Sequence, residues 1–271
     1  MTRTLGTTIA LGVAGAMIMA AAAGAQVEAQ DLAQRIGAVW SGTVRFEYPA
    51  AEGVCGNGRG NISVRRGSAV AVGGSGQGAA RTREWEDECE PGPVRVALDL
   101  SRGEVTALRA YVGGQWRGST DHDVGAVSAT EASAFLLSLA ETAGERVAKD
   151  AIFPATIALG AAPWARLLRI AKDERRPRDV RSAAIFWIGQ GAAAAATEGL
   201  QEMVEADGDR EVRKSAVFAL SQRPKDEAVP ALIRIARAHR DPEMRRSAIF
   251  WLGQTRDARA VAYFEEVLLR R

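Results

Sequence analysis

Hydrophobic and polar residues follow two different periods along this chain, one in each half. Between residues 42 and 113, several short segments alternate apolar with polar side chains, and residues 43–48 show the pattern most clearly. A period of two is typical of β-strands with one buried face. We therefore predict a small antiparallel sheet of four to six strands, preceded by a short helix around residues 29–36. The strand candidates are residues 43–48, 61–65, 69–72, 94–100 and 105–112.

After residue 113 the pattern changes to a helical one. Residues 116–124 are polar and turn-like, and Ser128 and Glu131 then form the S-x-x-E capping box that precedes many helices. From there the chain predicts one helix after another, separated by short breaks that contain Gly, Pro or Asp. We place a β-rich domain at 26–120 and a helical domain at 128–271.

The helical half contains an internal repeat. RSAAIFWIGQ at 181–190 and RRSAIFWLGQ at 245–254 agree at seven of ten positions, and a shift of 32 residues brings a third copy into register between them. A fainter copy lies 33 residues before the first, so about four units begin near residues 147, 180, 212 and 244. A period in this range is typical of α-solenoids. The helix around residues 135–140 would cap the open end of the array.

The units resemble HEAT repeats, in particular the short type grouped with phycobilisome lyases. The acidic openings at 209–213 and 241–245 and the pairs Ile188-Gly189 and Leu252-Gly253 carry this resemblance, which covers residues 145–271. It implies an α+β protein of two domains, in which the β domain is followed by an α-α superhelical solenoid. The β domain resembles no named family, although its union with such repeats is similar to that of some exported bacterial proteins.

The N-terminus has the features of a signal peptide. Arg3 precedes an uncharged stretch at 5–23, and Ala23-Gly24-Ala25 matches a small-x-small cleavage site. We predict a signal peptide at 1–25, cleavage between Ala25 and Gln26, and a periplasmic or secreted protein with no stable membrane insertion. An uncleaved membrane anchor is the alternative. No cysteine follows the apolar stretch, so a lipoprotein is not indicated.

Cys55 and Cys89 are the only cysteines. In an oxidising compartment a lone pair most simply forms one disulfide. Its loop of about 35 residues would stabilise the β domain by roughly 4 kcal/mol in the chain-entropy description. The pair lacks the C-x-x-C spacing and the nearby histidine that a redox or metal site would need.

The charge balance gives no reason to expect nucleic acid or anionic lipid as a ligand. Without residues 1–25 the chain has 34 basic and 33 acidic side chains. A net charge near +1 gives no general attraction to nucleic acid or to anionic lipid.

The sequence contains no constellation of catalytic residues. Of the two histidines, His239 is predicted at the exposed end of a helix, and His122 lies in a loop between two aspartates, where a metal site is the alternative. The acidic run at 84–90 matches no calcium loop, and the Gly-rich segment at 55–60 is interpreted as a turn beside the disulfide. We therefore predict no enzyme activity, no metal site and no cofactor.

Several residues are candidates for binding a partner. Phe186, Phe218 and Phe250 lie on one flank of successive helices, more than a third of a turn from the predicted buried stripe that holds Trp187 and Trp251. These phenylalanines either pack between units or form a recognition surface. The resemblance also implies that second helices line a concave side, which selects Glu198, Glu202, Arg234, Arg237 and Glu265 as contact residues. The recurring Arg181, Arg213 and Arg245 are predicted to pair with acids of adjacent units, such as Glu211 or Glu243.

These features predict an exported scaffold that binds another protein through its solenoid. The alternative is an accessory or inhibitory subunit that acts through the β domain, with the solenoid as a spacer.

Overall fold

The computed structural model of the protein describes residues 32–66, 69–73, 89–191 and 195–269. The predicted signal peptide and residues 84–88 of the acidic run lie outside the described residues. Within these ranges, no helix has both the length and the hydropathy needed to cross a bilayer.

The β region consists of two four-stranded sheets, preceded by the short helix α1 at residues 32–37. The first sheet has the order β7-β6-β1-β8 and the second β4-β3-β2-β5. The strands are β1 (Gly42–Tyr48), β2 (Val54–Gly56), β3 (Ile62–Arg66), β4 (Ala69–Gly73), β5 (Glu90–Pro91), β6 (Val94–Ser101), β7 (Glu104–Val112) and β8 (His122–Ala126). The alternation seen in the sequence is obeyed, since Val44, Phe46 and Tyr48 of β1 are buried and the residues between them are not.

Strand β8 was not expected from the sequence. It pairs parallel to β1, with a bulge between Arg45 and Phe46, whereas every predicted pairing was antiparallel. The prediction that His122 lies in a loop was therefore wrong. This edge strand has no apolar alternation and is held by polar contacts. The Thr43 amide donates to Asp121 (2.8 Å), and the Arg45 side chain donates to Asp123 (2.6 and 2.9 Å).

The predicted disulfide is present. Cys55 in β2 is bonded to Cys89, which directly precedes β5, and β2 and β5 pair antiparallel beside it. The glycine-rich segment after Cys55 is a turn, as predicted, in which Asn57 Oδ1 accepts the Arg59 amide (2.9 Å). The disulfide thus links β2 to the segment that leads directly into the edge strand β5.

Nine helices fill the described part of the C-terminal half. They are α2 (Ala129–Thr142), α3 (Glu145–Thr156), α4 (Trp164–Lys172), α5 (Arg178–Gln190), α6 (Ala195–Ala206), α7 (Arg210–Ser221), α8 (Lys225–Ala238), α9 (Pro242–Gln254) and α10 (Ala258–Leu269). The predicted N-cap is formed, since Ser128 Oγ accepts the Glu131 amide, while Glu131 Oε1 accepts the Leu32 amide at the start of α1. Asp209 and Asp241 cap α7 and α9 in the same way, at equivalent points of two units. First helices α3, α5, α7 and α9 contact one another in series, and so do second helices α4, α6, α8 and α10.

The recurring arginines close each unit against the preceding one. Arg181 donates to Ala171 O (2.9 Å), Arg213 to Asp207 O (2.7 Å) and Arg245 to His239 O (2.7 Å). Each acceptor is a carbonyl at the C-terminal end of the preceding second helix, where a basic side chain satisfies unpaired backbone groups.

The acidic partners of these arginines differ from those predicted. Arg181 pairs with Asp207, both buried, and Arg213 pairs with Asp241 at 3.0 Å. Glu211 and Glu243 instead bind Lys214. Arg181 and Arg213 thus pair with acids of the adjacent unit, as predicted, but these acids are the aspartates in the turn before the next first helix and not the glutamates named.

The two halves of the chain share one hydrophobic core. A single cluster of buried residues runs from α1 through the sheets to α10, and Phe46 of β1 packs edge-on against Phe135 of α2 (6.0 Å). The buried Tyr48 hydroxyl donates to Pro154 O in the last turn of α3 (2.7 Å), and burial raises the pKa of this phenol well above its usual value. The Ala51 amide donates to Ile157 O just beyond α3 (2.7 Å). The β region is therefore joined to the first helical unit by a packed interface.

Candidate functional site

Six aromatic rings form an unbroken row across the first helices, which we call the aromatic ladder. Its members, in order of contact, are Phe153, Trp187, Phe186, Phe218, Trp251 and Phe250. Contacts between neighbouring units are Phe153–Trp187 (4.4 Å between centroids), Phe186–Phe218 (6.3 Å) and Phe218–Trp251 (5.0 Å). Phe186 and Phe218 are therefore packed between units, whereas Phe250 contacts the Trp251 ring of its own unit.

One side of the same ladder remains open to solvent. Phe186 and Phe218 are half-buried, and Phe250 is 58% exposed. Inter-unit packing and a solvent-facing aromatic surface, which the sequence posed as alternatives, are both properties of these rings. An exposed aromatic series of this kind is a typical place for partner binding.

The tryptophans belong to this ladder, not to the fully buried stripe predicted for them. Trp187 and Trp251 are half-buried, and so is Ala183 one turn before Trp187. The buried line of α5 instead contains Val180, Ala184, Ile185 and Ile188. The buried stripe of α5 lies about one residue closer to Ile185 than the predicted stripe. Both flanks of the predicted stripe are apolar, so the sequence pattern alone did not distinguish the buried flank from the half-buried one.

The second helices present a polar surface whose side chains are largely engaged with one another. Glu202 pairs with Lys172, Arg234 donates to Gln201 (2.6 Å), and Arg237 pairs with Glu266. Each contact joins neighbouring units. Glu198 and Glu265 are exposed and form no hydrogen bond or ion pair within the described residues. Three of the five predicted contact residues thus have a structural role that accounts for them.

A groove of about 920 Å³ lies where the β region meets the first helical units, and we call it the junction groove. One wall comes from β1, β6, β7 and the segments at 58–62 and 116–120; the other comes from α3 and α5. Phe153 and Trp187, the first two rings of the ladder, lie in the helical wall. The groove and the ladder are therefore continuous.

Basic side chains dominate the lining of the junction groove. They are Arg45, Arg59, Arg109, Arg117, Arg146 and Lys149, and Asp150 is the one acidic lining residue among those described. Asp150 lies one turn after Arg146 on α3 and is half-buried without a hydrogen bond to any described residue. Burial raises the pKa of its carboxyl, although the nearby Arg146 and Lys149 act in the opposite direction.

Two of these cations are neutralised within the β region. Arg109 forms two 2.8 Å hydrogen bonds with Asp99, which lower the pKa of that carboxyl. The bond from Arg45 lowers the pKa of Asp123 likewise. Arg59, Arg117 and Arg146 form no ion pair within the described ranges, and Lys149 comes no closer than 4.0 Å to Asp179. The groove therefore carries a local excess of positive charge in a chain of net charge +2.

Trp116 forms an aromatic platform on the open face of the first sheet. The Arg45 and Arg95 guanidinium groups lie 4.9 and 5.8 Å from its ring centre, and Tyr111 meets it edge-on at 5.8 Å. Such cation–π contacts hold the ring in a fixed orientation at the wall of the groove.

The histidines do not form a reactive site within the described structure. His122 is exposed on β8. His239 was predicted at an exposed helix end but is buried: its Nδ1 accepts the Asp241 amide (3.0 Å), and its Nε2 donates to Val204 O (3.0 Å). The ring bridges α6 to the turn before α9, a role that the local sequence does not reveal because Val204 is 35 residues away. The described residues contain no group of three or more side chains placed to hold a metal ion.

Paired helices stacked in series define an α-solenoid, here joined to a disulfide-linked β region. The family model for HEAT repeats matches residues 165–238 and 197–271, so this part of the chain is a HEAT-repeat array, as the sequence predicted. No curated protein matches the chain. HEAT arrays are in general scaffolds for protein–protein interaction and typically have no catalytic activity.

Sequence patterns found the phenylalanine row but not the junction groove. The lining residues come from separate strands, turns and helices, so no local spacing unites them. The available signal was indirect: Arg45 and Arg109 occupy the polar positions of strands whose other face is buried.

Proposed function

We propose that this protein is an exported scaffold that binds a partner protein through the aromatic ladder. The observation that supports this most directly is the row of six contacting rings with one side open, ending in the largely exposed Phe250. Aromatic side chains are enriched in protein interfaces because they bury a large area at a low entropy cost. The order of the ladder would present them to a partner as a single surface.

Export is the second element of the proposal. The charge-free stretch after Arg3 and the Ala23-Gly24-Ala25 site favour cleavage before Gln26 and a periplasmic or secreted location. The disulfide supports the same compartment, because disulfides persist mainly where the environment is oxidising. Mass measurement of the protein from the periplasmic and culture fractions tests this: we expect a chain that begins at Gln26, and an intact Met1 terminus in the membrane fraction would contradict it.

The shared core weighs against the alternative in which the solenoid is a mere spacer. A spacer would connect to the β region through few contacts, whereas Tyr48 and Ala51 bond directly to α3 and its following turn. We further propose that the protein acts by binding and has no enzyme activity of its own, no cofactor and no nucleic-acid partner.

Site-specific photocrosslinking in the full chain tests the ladder. A photoreactive amino acid at position 250 should give a discrete adduct in the exporting cell, whereas the same group at the exposed position 175 should not. Replacing Phe186 and Phe218 with Ser in the crosslinking chain should abolish the adduct, because both rings belong to the same surface. An adduct that survives this double substitution in a folded protein would show that the ladder is not the binding surface.

A further inference from the structure

We propose that the junction groove binds an extended acidic segment of another protein, one that also carries a large apolar side chain. This site shares Phe153 and Trp187 with one end of the ladder and lies at the opposite end from Phe250, so the proposal does not depend on binding at Phe250. Three observations lead to it: the concentration of cations, of which Arg59, Arg117 and Arg146 form no ion pair within the described residues, the aromatic surfaces between them, and the size of the groove.

The cations are arranged on both walls of the groove. Arg59 and Arg117 come from the β region, and Arg146 and Lys149 from α3. This local excess of positive charge attracts acidic groups to the groove. Opposite walls of the same sign favour a ligand that carries several negative charges along its length.

The apolar lining argues for a peptide over a nucleic acid. Phe153, Trp187 and Trp116 lie in the same groove as the cations. Acidic side chains of a peptide can pair with the arginines while an apolar one packs on these rings. Nucleic acid requires many phosphate contacts over a long track, whereas the junction groove contributes only a few cations that are not already paired within the β region.

The size of the groove agrees with this ligand. Its volume of about 920 Å³ lies near the upper end of the range of about 300–1,000 Å³ for small-molecule sites, which leaves space for a few residues of extended chain.

Asp150 sets a condition on the ligand. It is half-buried in the helical wall without a hydrogen bond to a described residue, beside Arg146 and Lys149, and its carboxylate repels an incoming acidic group. An acidic ligand in the groove therefore lies near one like charge, the Asp150 carboxylate, and removing that charge should strengthen binding.

Fluorescence anisotropy with the full mature chain tests the proposal. The probe is a labelled octapeptide that alternates Glu with Leu; the same peptide with Gln for Glu is the neutral control. We expect the acidic peptide to bind at least tenfold more tightly than the neutral one, and to weaken as salt is raised. Equal affinity for the two peptides would overturn the proposal.

Variants then locate the site. Arg146→Glu with Lys149→Glu should weaken binding about tenfold or more, whereas Asp150→Asn should strengthen it two- to threefold. The matched control is Arg175→Glu with Arg246→Glu, which makes the same change in net charge at exposed positions outside the groove. An equal loss in the control pair would mean that binding is a non-specific effect of charge, and would overturn the assignment. Circular dichroism confirms that each variant is folded.

Two competitors settle the class of ligand. A heparin fragment or a single-stranded oligonucleotide that binds more tightly than the acidic peptide, with the same dependence on Arg146 and Lys149, would overturn the peptide assignment. Four of residues 84–88 of this chain are also acidic, so a chain with these four acids replaced by their amides is compared. Unchanged affinity supports an external ligand, and a gain of more than about fivefold would show that the chain's own segment occupies the groove.

Discussion

Several polar side chains in this protein connect segments of the fold through hydrogen bonds, and His239 is the clearest example. Its two ring nitrogens each bond to a backbone group of a different segment, while the side chain is almost fully buried. The ring therefore acts as a bridge that satisfies two backbone groups, a carbonyl and an amide.

His239→Ala should lower the free energy of unfolding by about 1–3 kcal/mol, because both backbone partners are left unsatisfied. Urea denaturation measures the difference. His122→Ala is the matched control, and its exposed ring on β8 predicts a change within about 0.5 kcal/mol. Equal effects of the two substitutions would contradict the bridging role.

Asp150 should make the stability of the protein depend on pH in a defined direction. The folded-state pKa of this carboxyl is raised by burial, so the unfolded chain ionises first as the pH rises. Ionised Asp150 therefore lowers the free energy of unfolding. This destabilisation is absent below the pKa of the carboxyl in the unfolded chain, near 3.9, and complete above its pKa in the folded protein.

Asp150→Asn should therefore be more stable than the parent protein at pH 7, and the difference should vanish near pH 3. Thermal unfolding of both proteins across this range measures it. A difference that stays constant with pH would mean that the effect arises from packing and not from charge.

At the scale of helices, close approach between units is set by single small residues. A Cβ added to Gly189 on α5 would lie 2.9 Å from the backbone of Ala219 on α7. The equivalent position one full pair of units later is Gly253, where a Cβ would meet no described heavy atom within 4 Å. Identical residues in the repeat thus serve different purposes.

Gly189→Ala should destabilise the protein by about 1–3 kcal/mol, because α5 and α7 must move apart. Gly253→Ala should instead stabilise it by about 0.5–1 kcal/mol, since alanine is the better helix former and nothing obstructs it. Chemical denaturation of the pair provides the measurement. Destabilisation by both substitutions would show that helix packing is equally tight at the two positions.

The sequence revealed elements whose signal is periodic and missed those held by polar contacts. The helical units repeat a pattern every 32 residues, so their register was readable. Strand β8 was not, because Asp121 and Asp123 secure it through hydrogen bonds and it has no apolar alternation. The rotation of the α5 stripe was also hidden, since Ala183 and Ile185 on its two flanks are both apolar.

On the scale of the whole molecule, the continuous core predicts that the β region and the helices unfold together as one unit. The contact of Phe46 with Phe135 and the bond from Tyr48 to α3 lie within this core. Pairwise packing between distant segments leaves no periodic trace, and for that reason the junction and its groove were absent from the sequence prediction.

Hydrogen exchange under increasing urea should show the amides of β6 and α5 opening together, with one free energy. Reduction of Cys55–Cys89 should lower both by roughly 4 kcal/mol, the entropic effect of opening a loop of 34 residues. Protection lost only in the β region after reduction would contradict the single unit. Cys55→Ala with Cys89→Ala serves as the control, because it removes the crosslink without a reductant.

The regular contacts between units have a consequence for how such a protein can change in length. Asp241 caps α9 as Asp209 caps α7, and Asp241 also receives Arg213 from the preceding unit. Residues 210–241 therefore contain both partners of the contact between units, Arg213 and the capping Asp241. A tandem duplication of this segment would insert one more rung into the aromatic ladder without disturbing the units on either side, so gene duplication can lengthen the ladder in single steps of 32 residues.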